Sequence, residues 1–278
     1  MTIPFLKMHG AANDFVVIDH REPFLDEPLE GLVRRLCDRR RGVGADGVLL
    51  VESDRECDFA MRYFNADGQV ADFCGNGARC VARLALDQGL GRGGEVRFRT
   101  AAGLKRARRS ADGRGIELEF GRIERPGAPL AVEAAGRSFS GRLVGAGVPH
   151  FVVPVERVEW APVHEWGAAL RHHARFEPGG ANVDFTARMG PGRVAMRTYE
   201  RGVEAETLAC GSGAMAVAVW AVVEGEPPPI AVMTAGGDEL RVALREADGG
   251  FEAALTGPAE VAYRGEWIEA VPAEAGIR

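Results

Sequence analysis

The segment Cys74-Gly75-Asn76-Gly77-Ala78 is answered 136 positions later by Cys210-Gly211-Ser212-Gly213-Ala214, and further pairs keep that spacing. Phe15-Val16-Val17 falls on Phe151-Val152-Val153, Gly44-Ala45 on Gly180-Ala181, Tyr63 on Tyr199, Asp112-Gly113 on Asp248-Gly249 and Gly121 on Gly257. One offset shared along so much of a chain is the signature of a structural unit written twice. The sequence must therefore fold into two similar halves, which excludes most single-core architectures of this length.

The halves are expected to meet near Arg122-Ile123-Glu124-Arg125-Pro126-Gly127-Ala128-Pro129, where two prolines and a glycine interrupt every periodicity. That places an N-terminal lobe at 1–122 and a C-terminal lobe at 123–259. The tail 260–278 contains Trp267-Ile268-Glu269-Ala270-Val271, which reads as a short strand able to pack back on the first lobe. Runs at Phe15–Asp19, Val48–Glu52, Glu95–Thr100 and Ile116–Phe120 alternate with glycine turns and predict strands. After each repeated cysteine comes a long alanine-rich apolar stretch, Ala78–Leu86 and Ala214–Val223. The second is apolar all round and the first carries only Arg79 and Arg83, on one stripe, so both predict helices largely buried inside their lobes. The fold class is α+β.

Each repeated cysteine then stands at the start of a central helix. A Gly-x-Gly first turn leaves backbone N–H groups open around a small anion, with the helix dipole adding its positive end, and a carboxylate fits there. The same field is expected to favour thiolate over thiol. A carbon acid inverted at one centre needs a base on one face and an acid on the other, and a duplicated lobe supplies both with one residue type. Cys37, Cys57 and Cys80 lack the matched context and read as packed apolar side chains.

Composition narrows the alternatives. Net charge is −6, so no basic stripe for a phosphate backbone is expected, and the arginine clusters at 34–41 and 105–109 read as solvated faces. No nucleic-acid partner and no membrane partner are expected. The start of the chain lacks the layout of a secretion signal and no apolar run has the length of a membrane span, so a cytoplasmic location is the expectation. Five cysteines without a C-x-x-C pair speak against a disulfide framework and a zinc knuckle, so no metal is expected. Only Lys7 and Lys105 could form a Schiff base, and neither neighbours a phosphate loop, so no cofactor is expected. Gly42-Val43-Gly44-Ala45-Asp46-Gly47 satisfies the dinucleotide pattern, but it follows charged Arg39-Arg40-Arg41 and precedes a strand, the reverse of what that pattern requires.

Long ordered motifs add a resemblance. Met8-His9-Gly10-Ala11-Ala12-Asn13-Asp14-Phe15, Phe64-Asn65-Ala66-Asp67-Gly68 and Cys74 to Cys80 lie in the first half. Pro149-His150, Ala181-Asn182-Val183, Tyr199-Glu200-Arg201-Gly202 and Glu206 to Gly213 lie in the second. With these the chain resembles the diaminopimelate epimerase family over nearly its whole length. The resemblance implies a cofactor-independent isomerase that interconverts LL- and meso-diaminopimelate, in lysine and cell-wall precursor biosynthesis. It also implies two lobes, each a barrel-like sheet around a central helix, with a substrate cleft between them, and a homodimer. Carried over by position, Cys74 and Cys210 become the acid/base pair, with His150 and Glu200 supporting thiol ionisation. Asn13, Asn65, Asn182 and Arg201 hold the polar ends of an amino-acid substrate, and Gly75, Asn76, Gly211 and Ser212 bind its carboxylate.

Two departures stand out. Val148 occupies a place where many members have asparagine, which leaves open a racemase of another amino acid with the same thiol chemistry; a separate alternative is a non-catalytic amino-acid-binding protein of the same fold. Ala12 replaces the usual glycine before Asn13, at a turn.

Overall fold

The computed structural model describes residues 2–268, which fall into two compact units, 2–109 with 259–268 and Ser110–Pro258. The first unit contains β1 (Thr2–Gly10), β2 (Asn13–Asp19), β3 (Gly47–Glu52), β4 (Phe59–Asn65), β5 (Val70–Ala71), β6 (Glu95–Thr100) and β7 (Gly103–Arg109). Pairs β2–β3 and β4–β6 are parallel, while β1–β2, β3–β4, β4–β5 and β6–β7 are antiparallel. Two helices complete it, α1 (Glu30–Cys37) and α2 (Gly75–Asp87).

The strands wrap α2, which touches β1, β2, β3, β4, β6 and β7. Sandwiching explains the apolar runs Phe15–Ile18 and Val48–Val51, which are buried without alternation. Val16, Ile18, Val48 and Leu50 join Leu32, Val33 and Leu36 of α1 in one cluster, whereas Phe15 and Leu49 reach Gly77 of α2 on the other face. The crossover helix α1 was hidden in a segment that reads as charged. Its four apolar residues, Leu32, Val33, Leu36 and Cys37, are all buried, and its arginines face out.

The second unit repeats this plan with β8 (Ile116–Glu124), β9 (Leu130–Ala134), β10 (Arg137–Ala146), β11 (Val148–Pro154), β12 (Asn182–Gly190), β13 (Arg193–Glu200), β14 (Ala205–Thr207), β15 (Ile230–Met233), β16 (Glu239–Ala247) and β17 (Gly250–Gly257). Its helices are α3 (Val163–Arg171), a crossover between β11 and β12, and α4 (Gly211–Val223), which packs against β10–β13 and β15–β17. As the all-round apolar sequence predicts, α4 is the axis of its unit, with every residue from Gly213 to Ala221 buried.

The duplication survives in detail. Helices α2 and α4 are each 13 residues long and begin 136 positions apart, at Gly75 and Gly211. The parallel registers also match, with Phe15 opposite Gly47 and Phe151 opposite Val183. The expected helices at 78–86 and 214–223 are present, each begun three residues earlier by its Gly-x-Gly turn.

A last strand, β18 (Glu260–Ile268), pairs antiparallel with β1 from Thr2↔Ile268 to His9↔Glu260. Trp267 and Ile268 lie in it, and the remainder of the strand expected there, Glu269–Val271, lies outside the described residues. The division expected after residue 122 falls inside β8. That strand pairs with β17 from Ile116↔Gly257 to Glu124↔Gly250 and buries Ile116, Leu118 and Ile123, so the units change over at Arg109/Ser110.

Candidate active site

Both repeated cysteines are the N-cap residues of their helices, in the extended conformation that such a residue adopts. Cys74 has φ −137° and ψ 118°, and Cys210 has φ −122° and ψ 113°. The first-turn N–H groups of Gly75, Asn76, Gly211 and Ser212 have no intrahelical acceptor, so each helix start offers open backbone donors. In α4 the Gly213 amide donates to Cys210 Sγ at 3.4 Å, and Ser212 Oγ lies 3.4 Å from the same sulfur.

Around Cys74 the partners are amides and a buried cation. Its Sγ lies 3.5 Å from Asn13 Oδ1, which also accepts from Asn76 Nδ2 at 3.2 Å. Asn13 Nδ2 donates to Asp46 Oδ2 at 2.7 Å, and because a carboxylate only accepts, this contact fixes the amide with its oxygen toward the sulfur. Arg79, expected to share one stripe with Arg83, is fully buried. Its guanidinium donates to Asn76 Oδ1 at 2.8 Å, so it braces the amide beside Cys74. Only Arg83 faces out, paired with Asp87. Behind Asn13 lies an ion cluster: Arg39 holds Asp14 through both oxygens, at 2.7 and 3.1 Å, and bonds Asp46 at 2.7 Å. Lys7 reaches Asp14 at 2.6 Å. Burial would raise the Asp14 carboxyl, but Arg39 and Lys7 outweigh it and hold it at about 2.

Around Cys210 the partners are acidic. Burial pushes this thiol well above its ordinary range, and the nearby carboxylates of Glu200 and Asp184 push it further; the bonds from Ser212 and Gly213 oppose them without prevailing. The expectation that the helix end favours thiolate is overturned here, since desolvation and two like charges outweigh the dipole. Glu200 is itself raised by burial and accepts a 2.7 Å bond from Thr207. Without ligand, Cys210 is a proton-bearing thiol.

His150 lies beneath this centre, fully buried. Its Nδ1 is 2.7 Å from Asp184 Oδ2 and its Nε2 is 3.2 Å from Asn182 Nδ2. Asn182 Oδ1 accepts from the Arg201 backbone N–H at 2.6 Å, tying β12 to the turn that follows Glu200. Asp184 and Thr198, joined at 2.7 Å, are site residues that the sequence reading did not single out. Arg201 is half-buried, and among the described residues its guanidinium forms no ion pair. Asn65 is exposed, and its backbone carbonyl accepts from the Gly68 N–H in the 65–68 turn.

Among the described residues no group of three or more His, Cys, Asp or Glu side chains is arranged to hold a metal ion, and no helix is long and apolar enough to cross a membrane. Lys7 is committed to its ion cluster, and Lys105 lies over the Phe73 ring at 4.9 Å.

Comparison with known proteins agrees with the duplication. A diaminopimelate epimerase from Aquifex aeolicus is 41% identical over 253 residues, covering 87% of this chain and 90% of its own. One from Moorella thermoacetica is 37% identical, covering 95% and 98%. Among solved structures, a probable proline racemase from Agrobacterium radiobacter K84 shares the fold with a TM-score of 0.72 at 19% identity, covering 98% of this chain and 94% of that one. The family model described as diaminopimelate epimerase matches twice, over residues 5–125 and 142–262, once for each copy of the repeat, and the chain belongs to that family.

Proposed function

We propose that this protein inverts the α-carbon of LL-diaminopimelate to give the meso isomer, without a cofactor, by proton transfer between substrate and the thiols of Cys74 and Cys210. The observation that carries the reading is the placing of a cysteine at the N-cap of the central helix in both copies of the repeat. One sulfur, as thiolate, takes the proton from Cα on one face. The other, as thiol, gives its proton to the opposite face of the carbanion, and the two sulfurs end with their protonation states exchanged. The ligand-free state of Cys210 suits it to the donor's role. The first-turn amides of α2 and α4 would hold the carboxylate next to the reacting carbon, which spreads the developing negative charge.

Asn13, Asn65, Asn182 and Arg201 are assigned to the polar groups of the substrate, with the uncommitted guanidinium of Arg201 suited to the distal carboxylate. His150 and Glu200 are assigned to the support of thiol ionisation and proton transfer, Glu200 standing beside Cys210. Val148 opens β11 directly after Gly147, and its apolar side chain keeps a second reading in play, a racemase of another amino acid with the same thiol chemistry. A cytoplasmic location and a homodimer are further parts of this reading.

Incubation in D₂O under reducing conditions, with deuterium at Cα followed by NMR, tests it. LL- and meso-diaminopimelate should both exchange; exchange of another amino acid but of neither of these would select the second reading, and no exchange at all would refute catalysis. Cys74→Ala and Cys210→Ala should each lower inversion by about 10³-fold or more, and Cys37→Ala should leave it intact. Full activity in Cys210→Ala would refute the two-thiol assignment.

A further inference from the structure

Asp184 is wholly buried on β12, two residues from Asn182 and hence on the same face of that strand. One carboxylate oxygen accepts from Thr198 Oγ1 at 2.7 Å, and the other lies 2.7 Å from His150 Nδ1. The carboxylate also crowds the first turn of α4: a Cβ built on Gly213 would come within 2.6 Å of Asp184 Oδ1, and Gly213 is the residue whose amide holds the Cys210 sulfur. Only glycine at 213 lets the helix end approach so closely.

We propose that Asp184 is a positioning residue, which holds the His150 proton on Nδ1 and through Asn182 fixes the backbone that carries Glu200 and Arg201. The inference rests on the role assigned to Cys210 above. An ionised carboxylate can only accept, so His150 must present N–H at Nδ1. Asn182 turns its NH₂ toward Nε2, at 3.2 Å, so Nε2 must be the acceptor. That orientation leaves Asn182 Oδ1 facing the Arg201 amide, which donates to it at 2.6 Å. Each link has one polarity, and Asp184 sets the first. Replacing its carboxylate by an amide lets NH₂ face Nδ1, which moves the ring proton to Nε2 and drives Asn182 to flip, releasing Arg201. The same carboxylate adds to the acidic surroundings of Cys210, which is faced by Glu200 from β13 and Asp184 from β12, with Ser212 and the Gly213 amide on its own helix, while His150 from β11 acts on Glu200 and is bonded to Asp184.

Two readouts independent of turnover test this. In the wild-type protein at pH 8, ¹⁵N-resolved imidazole NMR should show His150 protonated on Nδ1 alone; a proton on Nε2 overturns the proposal, and this measurement needs no variant to fold. In Asp184→Asn, the pH at which Cys210 becomes alkylated, followed by peptide mass spectrometry, should move down, the His150 proton should move to Nε2, and kcat should fall about 10²-fold. Thr198→Val, which spares the His150 contact, should keep the Nδ1 proton. An unchanged tautomer and alkylation profile in Asp184→Asn overturns the proposal. Failure of the wild type to exchange any α-proton would instead undo the assigned reaction and leave the tautomer result standing.

Discussion

Cysteine occurs five times in this chain, and burial sets the ionisation of those that lie in the core. Burial is the largest cause that pushes Cys37 up to about 11 and Cys80 up to about 12. Both thiols ionise more easily in the unfolded chain, so their contribution to stability is complete below the ordinary thiol range near 9 and is lost as pH rises toward 11–12. Each unpaired slope is about 1.4 kcal/mol per pH unit. Urea denaturation under reducing conditions should therefore show stability falling between pH 8.5 and 10.5, and Cys80→Ala should show a shallower fall than wild type; equal slopes would refute the assignment. Asp14 gives the acid counterpart. Its carboxyl is lowered to about 2 by Arg39 and Lys7 against the cost of burial, so its contribution is present above the usual carboxylate range near 4 and disappears as pH falls toward 2. Asp14→Asn should cost about 2 kcal/mol at pH 7 and almost nothing near pH 2.

At this scale the sequence was most informative where a residue type, a motif and the offset coincided, as at Cys74 and Cys210. It was least informative where chemistry depends on what folds against the site. The carboxylates of Glu200 and Asp184 reverse the expected ionisation of Cys210, and no local pattern predicts that balance. A signal for Asp184 was present: it stands two residues from Asn182, with Val183 and Phe185 on either side, so the two must share a face. Arg79 carried a similar signal, since Ala78, Cys80, Val81 and Ala82 leave α2 no polar side there.

At the scale of elements, the turn between β1 and β2 shows what the departure at Ala12 does. Both turn residues have positive φ, Ala11 at 54° and Ala12 at 62°, which is the backbone of a two-residue hairpin turn that glycine and asparagine favour. Each alanine there costs about 1 kcal/mol. The strain persists because β1 is held by β2 on one side and β18 on the other, and because Gly10 lies close against the Asn76 carbonyl of α2. Ala12 is exposed, so Ala12→Gly should relieve strain with no loss of packing and raise stability by about 0.5–1 kcal/mol, measured by urea denaturation. A destabilised variant would show that the glycine's flexibility in the unfolded chain outweighs the relief. The central helices were legible because their apolar runs are too long for strands and have no polar face. Helices α1 and α3 were not, because eight or nine residues with a narrow apolar stripe look like a charged loop until the strand face they cover is known.

At the scale of the whole molecule, duplication has preserved the framework and released the chemistry. The helix starts and the β2–β3 register coincide with their counterparts, yet Asp14 and Asp46 stand at the positions of His150 and Asn182. The first copy thus sets its cysteine against amides backed by ion pairs, and the second sets its cysteine among acids, one of which is bonded to the buried His150. The copies also differ in how the β1 position is flanked. In the second unit β10 pairs with β9, which immediately precedes it in sequence, whereas β1 pairs with β18, which follows the whole second unit in sequence. Deleting residues 259–278 should therefore act on the first unit selectively. It would strip β1 of its ladder to β18, remove the Phe5–Tyr263 ring contact and take Trp267 from the cluster beneath α1. Exposure of side chains such as Ile3 and Phe5 should cost about 3 kcal/mol or more, and the hairpin that presents Asn13 to Cys74 should loosen. Hydrogen exchange followed by mass spectrometry should then quicken in peptides from residues 2–19 and stay unchanged in those covering β12 and α4. Equal protection of residues 2–19 in the full-length and shortened chains would show that β1 holds its place without β18.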